Sequence, residues 1–399
     1  MLKRTIILIF ITSILGAKVF AFYDDTVESN DYELELIETV ASSENLILNS
    51  KNAILYDNTY NQILYEKNAY DKVPNASTTK VLTAIVAYEN GNLADVVTVS
   101  KNAANVGGSG INLRSGDKIT LEDLIKGLLI HSGNDAAIAI AEHISGTVEE
   151  FCKMMNSKAK QMGLSNTNFV TPHGLDRENH YSSAYDLVKM SEYLLEIDFL
   201  ADVVSKKSAT LTINNQSRII GTTNEMLSFY DGADGVKTGY TGDAGRCLIT
   251  SATRNGRQLI SVALGCGTKK QRTEDSVKLL NYGFENYEII NICENMRKEF
   301  EIEVEKGKAE RYKIVLDGEI MFPVEKGNES KITYTYEINS DLKAPLEKGE
   351  KIGKIYISYE EKIVKTLNIN LPQNIEKKDI WDYFKNFSKI KVENYEIRL

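Results

Sequence analysis

The chain has few residues of the types that bind metals, with four histidines and four cysteines in 399 residues. The histidines form no H-E-x-x-H arrangement, and the cysteine spacing matches no zinc pattern. Sustained basic runs are also missing and the formal net charge is -9, whereas a nucleic-acid partner would require a basic face. These absences argue against a metal-dependent hydrolase and against nucleic-acid binding. We expect neither a metal nor another cofactor.

The sequence also lacks an apolar run long enough for a comfortable transmembrane span. Its N-terminal apolar stretch, residues 6–15, follows a short basic start and precedes small residues that end at Ala21. This pattern is typical of a secretory signal peptide, and an uncleaved anchor is the alternative. We therefore expect an exported protein with a signal peptide at 1–21 and a flexible acidic leader at 22–44.

Disulfide bonds are not expected, although four cysteines in an exported chain could form two. An Asn-Gly pair predicts a two-residue hairpin turn between strands at 246–253 and 258–265. In that register Cys247 lies opposite Leu264, so Cys266 is diagonally displaced beyond normal disulfide reach. We expect four free, buried cysteines.

Strand-like alternation at both ends of residues 45–288 encloses a middle part with helical periodicity. The pattern predicts an α+β domain in which strands from distant parts of the chain share one sheet with helices packed on it. Residues 292–371 have short alternating stretches between turns rich in glutamate, lysine and glycine, which predicts a small all-β domain. Helical patterns in the first domain cover residues 78–90, 121–131, 134–144, 147–162, 184–195 and about 272–287.

The last residues, 375–399, combine an apolar and aromatic face at helical spacing with flanking lysines, and they contain the only tryptophan, Trp381. Such a segment predicts an amphipathic helix at a membrane surface, because buried rings supply apolar area and lysines meet anionic headgroups. Docking of this helix on the β domain of the same chain is the alternative.

A serine and a lysine three residues apart, Ser77 and Lys80, precede an almost wholly apolar run, which predicts a buried helix. Backbone N–H groups at a helix start can stabilise an oxyanion, and a buried, neutral lysine one turn later can accept the serine proton. The alternative is a helix-capping serine beside a surface lysine. The S-x-x-K spacing alone is weak, because it starts at Ser77, Ser115, Ser157, Ser340 and Ser388.

A second polar motif interrupts two apolar helical runs with Ser132, Gly133 and Asn134. Such a break can present a hydroxyl and an amide to a cleft between helices. The alternative is a helix-helix turn in which Ser132 or Asn134 caps the next helix.

A third motif places Lys237, Thr238 and Gly239 in a predicted strand. Glycine in a strand lets another backbone or a substrate approach closely, and the lysine adds positive charge there. The alternative is an ordinary edge strand with a protective lysine. The second and third motifs each occur once, and they follow Ser77 in order.

The combination S-x-x-K, S-x-N and K-T-G is the signature of penicillin-binding proteins and class A β-lactamases. The chain resembles the D-alanyl-D-alanine carboxypeptidases, low-molecular-mass penicillin-binding proteins of the S11 serine peptidase family. The blocks "NASTTKVLTA", "HSGNDAA", "NFVTPHGLDRENHYSSAYDL" and "DGVKTGYTGDAGRCLITSATRNGRQLISVALG" carry the resemblance, and "APLEKGEKIGKIYIS" extends it. It implies a β-lactamase/transpeptidase-like domain, an antiparallel sheet with helices on both sides, followed by a small β-sandwich-like domain and a membrane-associating amphipathic helix.

The resemblance also implies a substrate, the peptidoglycan stem pentapeptide, and a role in cell-wall biogenesis and remodelling. In this interpretation Ser77 attacks the carbonyl between the two terminal D-alanines and is acylated, with Lys80 as general base. Ser132 and Lys237 relay the proton to the leaving amine, and water then hydrolyses the acyl-enzyme. β-Lactams would acylate Ser77 and inhibit the enzyme.

The remaining roles implied by the resemblance concern substrate binding. Asn134 would bind the substrate amide, and the backbone N–H groups of the nucleophile and Tyr240 would form the oxyanion hole. Gly239 would allow close approach. Thr238 and Arg272 would hold the terminal carboxylate, the arginine through its bidentate fork.

Two other functions remain as alternatives. A class A β-lactamase needs an E-x-x-L-N loop, but the corresponding region has no glutamate, and Glu178 lies further on without the following leucine and asparagine. A catalytically silent wall-binding homologue need not keep Ser77, Lys80, Ser132 and Lys237.

Overall fold

The computed structural model describes residues 46–316 and 318–382. The signal peptide and the acidic leader lie outside the described residues, as does the tail beyond residue 382. The helices are α1 (Lys80–Asn90), α2 (Lys101–Ala104), α3 (Leu121–Ile130), α4 (Asn134–Ser145), α5 (Val148–Gln161), α6 (Ala184–Leu195), α7 (Asp198–Val204), α8 (Met226–Phe229) and α9 (Lys269–Asn286).

The strands are β1 (Asn52–Asp57), β2 (Gln62–Lys67), β3 (Val96–Thr98), β4 (Lys118–Thr120), β5 (Ser208–Ile213), β6 (Gln216–Gly221), β7 (Ala233–Thr241), β8 (Gly245–Arg254), β9 (Arg257–Cys266), β10 (Tyr287–Asn291), β11 (Glu299–Glu303), β12 (Arg311–Val315), β13 (Met321–Glu325), β14 (Ile332–Ile338), β15 (Lys351–Tyr359) and β16 (Lys362–Asn370).

The main sheet has the strand order β2-β1-β9-β8-β7, so an N-terminal hairpin joins three strands that come much later in the chain. Helix α6 packs against β9 and β8, and α7 packs against β7. Helix α1 is the central helix, and it contacts α3, α4, α5 and α6. The architecture confirms the predicted α+β class.

The hairpin of β8 and β9 has the predicted turn and mostly the predicted register. Arg254 pairs with Arg257, but a register shift between Arg246 and Leu248 places Arg246 opposite Cys266. This bulge alters the predicted position of Cys266 because it inserts an extra residue into one strand. All four cysteines are nevertheless free and buried, as expected.

Capping residues explain where several helices begin. Thr120, Thr147 and Ser183 each stand immediately before a helix, and each side chain accepts a hydrogen bond from a backbone N–H three residues later. Such caps satisfy N–H groups that have no partner within the helix. Helices α3, α5 and α6 therefore begin within a residue of their predicted starts.

A second sheet, with the strand order β3-β4-β5-β6, was not predicted. Its first two strands are three residues long, too short for a clear alternating pattern. Helix α3 packs against both β4 and β5, so this sheet supports the helix that ends at the second motif.

The chain divides into two compact units. Among the described residues, the first contains Leu48–Leu55 and Tyr65–Val277, and the second contains 46–47, Tyr56–Leu64, 278–316 and 318–382. The division falls within α9, before the predicted break at 288–292.

The position of the division follows from the contacts of the last part of α9. The Tyr282 hydroxyl donates a hydrogen bond to Glu325 Oε1 at 2.7 Å. Its ring also meets the Tyr287 ring edge-on, with the ring centres 5.6 Å apart. The end of the helix therefore packs with residues of the second unit.

Between α9 and residue 371 the second unit is built of strands, as predicted, with a short 3-10 turn at Glu329–Lys331. It contains the β14-β15-β16 sheet and the pairs β10-β13 and β11-β12. Aliphatic and aromatic side chains form its core, among them Phe300, Val324, Ile352, Ile355 and Ile357. Within residues 46–316 and 318–382, no helix is long and apolar enough to span a bilayer.

Candidate active site

Ser77 lies in a 3-10 turn, Ala76–Thr79, which leads directly into α1. We call residues 75–80 the Ser77 turn. Asn75 anchors it, because its Nδ2 donates to the hydroxyls of Thr78 and Thr79 at 3.0 Å each. The N-cap of α1 is Thr79 and its side chain makes no capping bond, so the alternative of a capping Ser77 is wrong.

The amine of Lys80 is at the centre of the site, and the residue is completely buried. Its Nζ atom donates to Ser77 Oγ and to Asn134 Oδ1, each at 2.7 Å. It also donates to the backbone carbonyl of His173 at 3.0 Å. These bonds hold the amine beside the serine hydroxyl, inside the protein. The alternative of a surface lysine is therefore wrong.

Asn134 begins α4 with both ends of its side-chain amide engaged. While Oδ1 accepts from Lys80, Nδ2 donates to the Gly107 carbonyl at 2.7 Å. Ser132 is buried and has a left-handed backbone, with φ 62°. The N-cap of α4 is Gly133, without a side-chain bond, so the helix-capping alternative is wrong for this motif too.

Strand β7 runs against the Ser77 turn. A β-carbon at Gly239 would lie 2.9 Å from Ser77 N and 3.2 Å from Thr78 N, so only glycine permits this approach. Lys237 is buried, and its Nζ donates to the Thr238 carbonyl at 3.0 Å. The strand is at the sheet edge, as the alternative supposed, but its lysine is not a solvated protective charge.

Thr223 connects the second and third motifs, and it was not predicted. Its backbone N–H donates to the Ile130 carbonyl at the end of α3, at 3.1 Å. Its hydroxyl is 2.6 Å from the hydroxyl of Thr238. The next residue, Asn224, donates from Nδ2 to the Gly235 carbonyl at 2.9 Å. This segment therefore fixes β7 relative to α3.

Arg272 forms a buried ion pair that the sequence did not predict. Its Nη2 donates to both carboxylate oxygens of Glu225, at 2.8 and 3.0 Å. Burial alone would raise the pKa of Glu225, but the Arg272 charge and hydrogen bonds from Thr273 and Arg272 outweigh burial and lower it. The guanidinium expected to face a substrate carboxylate is thus paired with a carboxylate of the protein.

Tyr240 continues β7 and pairs with Arg246 on β8. The Arg246 guanidinium lies over the Tyr240 ring, 3.9 Å from its centre. A cation at this distance is attracted to the face of the ring. The contact orients the Tyr240 side chain, while its backbone N–H is the group that the resemblance assigns to the oxyanion hole.

Two buried histidines lie beside the Ser77 turn, and both are held neutral. Burial, helped by the charge of Lys80, lowers the pKa of His173 to about 3. Burial also lowers the pKa of His180 to about 4. Desolvation penalises the charged imidazolium. Neither ring is therefore charged near neutral pH.

The structure brings the predicted residues together to different degrees. Hydrogen bonds join Ser77, Lys80 and Asn134 directly. Lys237 is connected through its strand, since Gly239 abuts the Ser77 turn. Within the described residues, no cluster of three or more potential metal ligands is present.

Sequence reasoning missed the residues that support this arrangement. The His173 carbonyl has no side-chain signal, although its block "VTPHGLD" stood out in the sequence. Gly174 follows it with φ 89°, and a β-carbon there would lie 1.9 Å from the Ala76 carbonyl oxygen. Only glycine fits this position, because the backbone is left-handed and a β-carbon would clash with the Ser77 turn. Gly174 therefore allows the segment that carries the His173 carbonyl to pass close to Lys80.

Comparison with known proteins agrees with this geometry. Residues 38–268 match the family described as D-alanyl-D-alanine carboxypeptidase, and residues 294–377 match the C-terminal domain of penicillin-binding protein 5. The chain belongs to this S11 family. It is a serine-type carboxypeptidase and a penicillin-binding protein of low molecular mass.

Two curated relatives cover most of the enzyme. D-alanyl-D-alanine carboxypeptidase DacF of Bacillus subtilis is 34% identical over 82% of this chain and 86% of the relative. DacA of Haemophilus influenzae is 32% identical over 96% of this chain and 98% of the relative.

Solved structures of similar proteins have the same fold. Penicillin-binding protein 5 from Haemophilus influenzae has a TM-score of 0.69 at 32% identity, covering 83% of this carboxypeptidase and 98% of that chain. DacD from Francisella tularensis also has a TM-score of 0.69, at 26% identity, covering 87% and 98%.

Proposed function

We propose that this carboxypeptidase removes the terminal D-alanine from peptidoglycan stem pentapeptides through an acyl-enzyme on Ser77. The observation that carries the proposal is the buried Lys80 amine, 2.7 Å from Ser77 Oγ. In its neutral form Lys80 takes the serine proton as Oγ attacks the carbonyl between the two D-alanines. Asn134 Oδ1 and the His173 carbonyl keep the amine within reach of the hydroxyl.

The oxyanion formed by this attack needs preorganised donors, and we assign the backbone N–H groups of Ser77 and Tyr240 to this role. Contact between Gly239 and Ser77 N brings these two backbone segments close together. Asn134 has a second hydrogen on Nδ2 besides the one given to Gly107, and we propose that it binds the substrate amide.

Collapse of the tetrahedral intermediate requires a proton for the leaving amine. We assign its delivery to Ser132 and Lys237, both buried at the site. The terminal carboxylate of the leaving D-alanine is proposed to bind Thr238, whose hydroxyl is already oriented by Thr223. Arg272 then acts as a positive charge shared between Glu225 and the substrate carboxylate. Water hydrolyses the acyl-enzyme.

The nucleophile assignment is tested by labelling with a fluorescent penicillin. We expect the parent to form a covalent adduct and Ser77→Ala to form none. Ser157→Ala is the matched control, because Ser157 and Lys160 have the same spacing on the exposed surface of α5. Equal labelling of Ser77→Ala and the parent would show that another residue is acylated.

Release of D-alanine separates the proposed activity from that of a β-lactamase. The enzyme should release D-alanine from a peptide ending in D-Ala-D-Ala and should hydrolyse penicillin far more slowly. A penicillin turnover rate above the peptide rate would overturn the proposed substrate class.

We further propose that the enzyme is exported and that, within the predicted segment 375–399, the residues beyond Lys378 bind the outer face of the cytoplasmic membrane. Residues 375–378 pair with the β domain instead, since Ile375 lies in its core and Lys377 pairs with Gly307. The described part of this segment supports the proposal, since Ile380 and Trp381 are 72% and 73% exposed. Large apolar side chains exposed beside lysines favour an anionic bilayer surface.

Co-sedimentation of the full-length chain with phosphatidylglycerol vesicles tests the membrane proposal. Phe384→Asp/Phe387→Asp should abolish binding, because it puts charge on the apolar face. Asn386→Asp/Ser388→Asp adds the same charge to residues outside that face and should retain most of the binding. Equal loss in both double variants would indicate that charge alone controls binding.

A further inference from the structure

His180 is connected to the peptide group that precedes Ser77 by a chain of buried hydrogen bonds. The imidazole Nε2 is 2.9 Å from Thr79 Oγ1. Thr79 Oγ1 in turn donates to the Ala76 carbonyl at 2.8 Å. Thr79 is completely buried and His180 is 5% exposed, so water does not compete for these bonds.

A backbone donor fixes the tautomer of His180. The Val170 N–H donates to Nδ1 at 3.1 Å, and because a backbone N–H can only donate, Nδ1 must lack a proton. The neutral ring therefore carries its proton on Nε2, from which it donates to Thr79 Oγ1.

Thr79 has only one remaining orientation for its hydroxyl hydrogen. Its oxygen accepts from His180 Nε2 and from Asn75 Nδ2, which donates at 3.0 Å. A hydroxyl has one hydrogen and two lone pairs, so both lone pairs are used and the hydrogen points to the Ala76 carbonyl.

The Ala76 carbonyl and the Ser77 N–H belong to the same peptide group. That group is planar, and in a trans peptide its C=O and N–H point in opposite directions. Whatever holds the Ala76 oxygen therefore sets the direction of the Ser77 N–H. The constraint is needed because Ala76 has φ 48°, a left-handed conformation that alanine disfavours.

We propose that His180 is a positioning residue for the oxyanion hole: acting through Thr79 and the Ala76 carbonyl, it aims the Ser77 N–H at the developing oxyanion. This inference rests on the proposed function, in which Ser77 is the nucleophile and its N–H is an oxyanion donor. The two ring nitrogens of His180 bond to Thr79 and Val170, not to the reacting hydroxyl or to Lys80, so its effect is indirect.

The test compares three substitutions of His180 in the full-length protein. His180→Phe keeps a ring to pack on Phe169, whose ring centre is 5.2 Å from that of His180, but it has no polar atom. His180→Gln can place an amide N–H near the position of Nε2. His180→Asn can reach the Val170 N–H but not Thr79.

Two quantities are measured with a fluorescent penicillin: the first-order rate constant of acylation and the dissociation constant of the non-covalent complex. The amount of active enzyme is corrected for the fraction of each preparation that penicillin can acylate. We expect His180→Phe and His180→Asn to acylate about 10- to 100-fold more slowly, with an unchanged dissociation constant, because misaimed donors act on the transition state. His180→Gln should recover most of the lost rate. Phe169→Leu is the packing control, with a lower melting temperature but the parental rate.

Thr79→Val tests the route. It should slow acylation as much as His180→Phe, and the double variant should be no slower than either single variant, since both break one chain of bonds. Multiplicative losses would show that His180 acts by another route, and an equal rate in His180→Phe and the parent would show that it has no role.

If His180→Gln and His180→Phe slow acylation equally, the hydrogen bond to Thr79 has no effect on the rate and His180 acts only through packing. Failure of the proposed function is a separate result, because it would appear as penicillin labelling of Ser77→Ala.

Discussion

The two compact units differ in what they bury. In the first unit Lys80, Lys237 and Arg272 are all at most 1% exposed, whereas no charged side chain is buried among the described residues after Lys278. Burying an ion costs free energy unless hydrogen bonds or a partner compensate it. Buried charge therefore marks the unit in which we place the chemistry, and the second unit is held together by apolar packing.

The largest expected effect is on Lys80→Met, which replaces the buried amine by an apolar chain of similar length. Acylation by penicillin should fall about 1,000-fold, since loss of a general base typically lowers the rate by a factor of ~10²–10⁴. The free energy of unfolding should fall by only about 1–3 kcal/mol, because Asn134 Oδ1 and the His173 carbonyl lose a donor but no charge is left unpaired.

Stopped-flow acylation and calorimetry on the same preparation check this prediction. A variant that acylates at the parental rate would break the link between buried charge and chemistry.

For the Glu225–Arg272 ion pair we expect the larger effect on stability, whereas for Lys80 it is on the acylation rate. Glu225→Gln leaves the Arg272 charge buried without its carboxylate, and we expect a loss of about 3 kcal/mol in the free energy of unfolding. Urea denaturation measures it. Glu225→Gln/Arg272→Met removes both charges and should restore part of the loss, and a double variant less stable than the single one would contradict the pairing argument.

The second unit should lose stability without losing the acylation rate. Ile355→Ala opens a cavity in its core and should cost at least about 2 kcal/mol. The matched control is Ile363→Ala, an isoleucine on β16 that is 61% exposed. Penicillin acylation of the folded fraction should equal the parental rate in both variants, and a slower rate in Ile355→Ala would place part of the catalytic support in the second unit.

The smallest expected effect is on acid stability. His173 has a pKa of about 3 in the folded protein, whereas in the unfolded chain it binds a proton below its ordinary pKa of about 6.5. The unfolded state thus gains protons as pH falls, and stability present above pH 6.5 is lost on acidification.

Between pH 6 and 5, His173→Gln should lower the slope of the free energy of unfolding against pH by about 1 kcal/mol per pH unit. Urea denaturation of the variant and the parent at several pH values measures the difference. Identical slopes would show that His173 is not held neutral by the fold.

Much of the first unit could be predicted from the sequence because its helices are strongly periodic. α4, for example, begins at the predicted residue, Asn134. The β3-β4-β5-β6 sheet could not be predicted in full, because β4 meets β5 only through a pair distant in the chain, Ile119 and Ile213. The hairpin of β5 and β6 does have a sequence signal, the pair Asn214-Asn215 between two alternating stretches. Both asparagines have positive φ in the structure, as the turn requires.

Site residues could be predicted where their side chains form a motif with short, regular spacing. Contacts made by backbone groups, or by residues far apart in the chain, could not be predicted. The apolar run after Ser77 correctly indicated that Lys80 is buried. Arg272 and Glu225 are 47 positions apart, and no local pattern relates them. No sequence pattern connects His180 with Thr79, because the two residues are 101 positions apart.

The contact between Gly239 and the Ser77 turn limits how the enzyme can evolve under antibiotic selection. A β-carbon at position 239 would lie too close to Ser77 N, at 2.9 Å, and no choice of rotamer relieves a clash with backbone. A substitution at Gly239 is therefore expected to displace the Ser77 turn and to slow acylation by substrate and by penicillin alike. We therefore expect reduced sensitivity to β-lactams to arise at positions whose side chains can vary without moving the Ser77 turn, rather than at Gly239.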